Sequence, residues 1–77
     1  MKRVSYAGIA SPMQGTVLRV EVGEGDAVAA GQVLVIVEAM KMENEIRAHV
    51  PGVVRELAVA VGDSVRSGQP LLRVSEP

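Results

Sequence analysis

Seventy-seven residues suffice for one small domain, taken here as spanning 1–77, and a domain of this size buries only about 60% of its unfolded surface. A formal net charge of −1, with acids and bases interspersed, leaves no basic patch for nucleic acid and no polybasic run for a membrane surface. No apolar run nears the roughly 20 residues of a membrane helix, and the lack of cysteine excludes disulfides and thiol chemistry, which favours the cytosol or an organelle matrix after processing.

The core inventory is fifteen Val, five Leu and three Ile with a single aromatic, Tyr6, so a thin all-β core without internal space for a ligand is expected. In chain order, a first strand is predicted from Val4 to Ile9, then a bend at Ser11-Pro12 and Gly15, where proline removes a donor and glycine supplies unusual φ. A second strand is predicted from Val17 to Val22, where Val20 and Val22 alternate with Arg19 and Glu21. Gly23-Glu24-Gly25-Asp26 turns the chain, a brief strand surrounds Val28, Ala29-Ala30-Gly31-Gln32 turns it again, and Val33 to Val37 forms a fourth strand. The second half repeats the scheme, with strands predicted from Glu45 to His49, from Val53 to Val59, around Val65 and from Leu71 to Val74. Their separators are Pro51-Gly52, Gly62-Asp63 and Ser67-Gly68. No window keeps helical spacing of apolar residues, so no helix is predicted.

Sliding the chain by 37 positions aligns 9–37 with 46–74 without gaps, and eleven of 29 positions are identical, where about two or three are expected by chance in so valine-rich a chain. The pairs are Ile9/Ile46, Gly15/Gly52, Val17/Val54, Val22/Val59, Gly25/Gly62, Asp26/Asp63, Val28/Val65, Gly31/Gly68, Gln32/Gln69, Leu34/Leu71 and Val37/Val74. Eight short strands in two similar halves predict two four-stranded antiparallel sheets, packed as a flattened barrel or sandwich about a pseudo-two-fold axis.

The repeat leaves out the central segment Glu38-Ala39-Met40-Lys41-Met42-Glu43-Asn44-Glu45. It joins two strands without the Asn-Gly or Asp-Gly that tight hairpins favour, so Met40-Lys41 or its neighbours must turn. A local rule broken without structural gain points to function. Of eight basic residues six are Arg, and Lys41 is the only lysine besides Lys2 at the start of the chain. An arginine cannot deprotonate to accept an acyl group, whereas a lysine can. Taken alone, a compositional bias toward Arg is the better explanation of the count, and a turn lysine is ordinarily just solvated. Shifted by 37, Lys41 falls on Val4, so two-fold symmetry predicts the hairpin tip and the chain termini at opposite ends, with a group on Lys41 pointing away from any tether.

Glu38-Ala39-Met40-Lys41-Met42 matches the E-A-M-K-M attachment motif at five of five positions, and nearly the whole chain resembles the biotinyl (biotin carboxyl carrier) domains of acyl-CoA and pyruvate carboxylases and transcarboxylases. The gapless repeat leaves no residues for the protruding thumb loop of some members. The resemblance implies a non-catalytic carrier domain with the barrel-sandwich fold, whose cofactor is biotin joined to Lys41 by a biotin protein ligase. It further implies that the arm moves a carboxyl group between biotin carboxylase and carboxyltransferase domains or subunits. Met40 and Met42, ordinarily core fillers, are read as recognition groups beside the lysine, together with Ala39 of the motif. Glu38 and Glu43 are either solvated strand ends or charges that reject the wrong ligase.

Two other readings stay open. A lipoyl carrier domain of an oxoacid dehydrogenase shares the fold but usually has Asp before the lysine and Ala or Val after it. An unmodified barrel-sandwich interaction module is the third. His49 has no partner for a metal set, Asp26 and Asp63 sit in matching turns, Ser11 lacks a base, and Gly23-Glu24-Gly25 lacks phosphate-loop spacing, so no metal site or catalytic group is expected.

Overall fold

The computed structural model describes residues 6–76, so Lys2 and the predicted strand start at Val4 lie outside the described residues. Among the described residues eight strands form: β1 (Tyr6–Ala10), β2 (Gly15–Val20), β3 (Ala27–Val28), β4 (Val33–Ala39), β5 (Met42–Arg47), β6 (Gly52–Arg55), β7 (Ser64–Val65) and β8 (Pro70–Ser75). They make two four-stranded antiparallel sheets, ordered β1-β8-β6-β3 and β5-β4-β2-β7, as the repeat predicts. A shift of 37 residues maps β1 to β4 onto β5 to β8 and thereby maps one sheet onto the other. Each sheet takes two strands from each half, so the halves are interleaved.

The two-fold relation extends to individual hydrogen bonds. The Ser11 amide donates to the Gln69 carbonyl and the Ala48 amide to the Gln32 carbonyl, each at 2.9 Å. Glu21 to Leu34 and Ala58 to Leu71 form another pair, both 2.9 Å. Among the described residues, the 15 buried hydrophobic ones and the buried Ser11 also form symmetric pairs. Twelve come from the six apolar identities of the repeat, and Val35/Leu72 and Ser11/Ala48 complete them. Burying a Val or Leu side chain contributes about 1.5–3 kcal/mol, and this double layer is the domain's core.

Boundaries of several predicted strands move. β5 starts at Met42 rather than Glu45, because ladder pairing with β4 runs all the way to Ala39↔Met42. It ends at Arg47, which leaves His49 exposed in a bend rather than in a strand. β2 starts at Gly15 and stops at Val20, with Val22 buried beyond it. β6 stops at Arg55, far short of Val59, because Glu56 adopts a φ of 50° and turns the chain out of the sheet. Gly15 also does something other than predicted: its φ is not positive, and instead its Cα packs against the Glu38 carbonyl, where a side chain would collide.

Candidate functional site

The β4–β5 hairpin closes through a two-residue turn, Met40-Lys41, with Ala39 and Met42 paired across its mouth. Both turn residues have positive φ, 52° and 63°, the signature of a type I′ turn, whose twist matches that of paired strands. The expectation that Met40-Lys41 turns the chain without glycine or asparagine is met. Lys41 is exposed, Met40 is 94% exposed and Met42 66%. The described residues contain no other lysine.

Below the tip the hairpin is held firmly. The Asn44 side-chain amide donates to the carbonyls of Val37 and Met42, each at 3.2 Å, tying β5 to β4 two pairs below the mouth. Gly15 lets β2 pack against the Glu38 backbone, and Thr16 pairs with Glu38. Neither contribution is evident from the sequence motif. The sequence carries no signal for Asn44, which lies in the segment the repeat leaves out.

Glu38 and Glu43 face each other across the hairpin, both exposed, and Ala39 is half-buried. Two carboxylates directly opposite repel, a small cost that serves no packing purpose.

The tip stands far from the strand ends at Tyr6 and Ser75. The mouth of β4 lies beside Gly15, and the bend that leads into Gly15 begins at Ser11, bonded to Gln69 at the start of β8. The foot of β4, at Gln32, bonds Ala48, which leads to Gly52, packed against Ser75. A seven-residue strand, about 20 Å, separates the two ends, as the symmetry argument expects.

The remaining polar candidates are structural. The Asp26 and Asp63 carboxylates accept the amides of Gly23 (2.7 Å) and Ala60 (2.9 Å) within their own turns. The Ser11 hydroxyl, buried, donates to the Met13 carbonyl at 2.6 Å. No group of three or more potential metal ligands occurs among the described residues.

Residues 7–74 match the family model described as "Biotin-requiring enzyme". The chain belongs to that family. Against the biotin carboxyl carrier protein of Streptococcus mutans this family member is 46% identical over 65 residues, covering 84% of this chain and 50% of the relative. It spans half or less of the curated relatives it matches. A solved single-chain, multi-domain long-chain acyl-CoA carboxylase superposes with a TM-score of 0.87 at 32% identity, covering 94% of this chain and 7% of that one. The lipoyl domain of the 2-oxoglutarate dehydrogenase complex from Azotobacter vinelandii superposes at 0.78 with 31% identity, covering 90% and 95%. Backbone shape is thus common to biotinyl and lipoyl members, and the higher identity lies with the biotin carboxyl carrier protein.

Proposed function

We propose that Lys41 Nζ is the atom to which biotin is joined, and that this chain is the carrier domain of a biotin-dependent carboxylase or transcarboxylase. The carrier performs no catalysis of its own. One observation supports this reading above all: the exposed amine of Lys41 tops a rigid two-residue turn between two exposed methionines. An acyl acceptor requires an accessible primary amine on a backbone stiff enough to enter another enzyme's site, and the type I′ tip, braced by Asn44 and Gly15, meets both requirements.

A biotin protein ligase would present the adenylated acid; Lys41 Nζ attacks its carbonyl, AMP leaves and the amine proton passes to a base of the ligase. Once attached, biotin supplies a ureido nitrogen that carries a carboxyl group. This chain supplies reach and local concentration: the tip swings the arm, and the body keeps it near biotin carboxylase and carboxyltransferase partners. Met40 and Met42 offer apolar surface to each enclosing site, and Glu38, Ala39 and Glu43 complete the surface by which the correct ligase is selected. Work in the cytosol or an organelle matrix suits a cysteine-free chain.

Co-expression with a biotin ligase or, separately, a lipoyl ligase, followed by intact-mass measurement, tests this reading. We expect one biotinyl group and no lipoyl group, with Lys41→Ala abolishing the gain while changing stability by less than about 1 kcal/mol. A lipoyl gain in place of biotin would transfer the chain to the other branch of the fold, and no gain with either ligase would leave it an unmodified interaction module.

A further inference from the structure

The described residues expose three large hydrophobic side chains, and two of them, Met40 and Met42, flank the one lysine described. A methionine normally hides its thioether in a core, where it is both useful and protected. Met40 is 94% exposed within the turn itself, and Met42 is 66% exposed at the mouth of the hairpin. Met13, in the bend before β2, is only partly exposed and serves as an internal reference.

We propose that Met40 and Met42 form an oxidation-sensitive gate on Lys41: a peroxide converts their thioethers to sulfoxides, and the oxidised tip is refused by the enzymes that must enclose it. This inference rests on the reading of Lys41 as the acyl acceptor. In the step, the thioether sulfur donates an electron pair to one peroxide oxygen, the O–O bond breaks, a sulfur–oxygen bond forms and water leaves, so sulfur is oxidised and peroxide reduced. Accessibility of the sulfur governs the rate, which singles out residues 40 and 42.

The consequence follows from where the side chains stand. Any site that admits Lys41 must also surround Met40 beside it in the turn and Met42 at the mouth, so the methionines pass from water into the partner. Thioethers favour that transfer, whereas the strong S–O dipole loses its hydration on entry and opposes it. The fold is left alone, because neither side chain belongs to the buried core. Methionine sulfoxide reductases reverse the change.

The test uses the chain itself with hydrogen peroxide, quenched by catalase, and follows each methionine by peptide mass before biotin ligase is added. We expect Met40 and Met42 to oxidise at least about tenfold faster than Met13, and the initial labelling rate to fall by at least about tenfold with the sheet circular dichroism unchanged. Sulfoxide reductase should restore the rate, and Met13→Leu should keep the same peroxide sensitivity. Equal labelling before and after oxidation overturns the gate while leaving the carrier reading intact, as does a loss that reductase cannot reverse or that Met13→Leu removes. Failure of the untreated chain to accept biotin takes down the carrier reading and the gate together.

Discussion

At the residue scale the hairpin tip is mechanically expensive. Met40 and Lys41 both hold positive φ, a conformation that costs an L residue with a long side chain about 1 kcal/mol or more. Asparagine enters that region far more readily. Met40→Asn should therefore raise the urea midpoint, by up to about 1 kcal/mol of stability, while lowering the rate of labelling at Lys41 because an apolar contact is lost. A loss of stability on this substitution would contradict the strain assigned to the turn. Lys41 is legible in the sequence because a lysine between methionines stands where a turn residue belongs, and because the repeat excludes it. Asn44 is not, since its use depends on the Val37 carbonyl lying across the hairpin, a relation set by register rather than by order. All eleven repeat identities, by contrast, serve the scaffold. Six pairs are core, Asp26/Asp63 and Gln32/Gln69 accept the amide three residues upstream, and the three glycine pairs satisfy backbone demands.

At the scale of elements those glycines divide into two kinds. Gly31 and Gly68 have φ of +84°, with open space where a Cβ would project, so alanine there should cost only about 1 kcal/mol of backbone strain. Gly15 and Gly52 have ordinary φ, but a methyl would fall onto the carbonyls of Glu38 and Ser75 and against Val37 and Val74. Gly15→Ala and Gly52→Ala should separate strands and cost more, about 2–3 kcal/mol, measured by thermal or urea unfolding. Equal losses at all four sites would show that close approach is not what selects glycine. The repeat reveals all four positions, yet sequence alone cannot distinguish a steric demand from a conformational one. The two halves also differ where symmetry fails. Glu24 and Val61 are counterparts, and only Glu24 can accept hydrogen bonds: its carboxylate takes the amides of Glu56 (3.1 Å) and Leu57 (2.9 Å) as the chain leaves β6. Arg73 adds an ion pair to Glu56 at 2.9 Å. That anchorage explains why β6 is shorter than β2, which the valine pattern from Val53 to Val59 conceals. Glu24→Ala should lower stability by about 1 kcal/mol, whereas Val61→Ala should change it by no more than about 0.5 kcal/mol.

At the scale of the molecule, the tip's usefulness depends on a body that cannot come apart in pieces. β1 pairs with β8, β2 with β7 and β3 with β6, so each of these ladders joins the first half to the second. A chain cut between Met40 and Lys41 keeps β1 to β4 on one fragment and β5 to β8 on the other, and neither fragment retains a complete sheet. Each also loses its share of a core whose members pair across the two-fold, leaving too little apolar burial to offset the ordering of about forty residues. Circular dichroism of each fragment alone should show an unfolded chain without a cooperative melt. Mixing the two should recover sheet signal in a concentration-dependent manner, because joining them by a covalent hairpin had supplied effective concentration rather than indispensable contacts. Either fragment folding by itself would mean that the repeat records two self-sufficient units. The rigidity passed to the tip would then have to come from the hairpin alone, held only by the Asn44 amide and its own ladder.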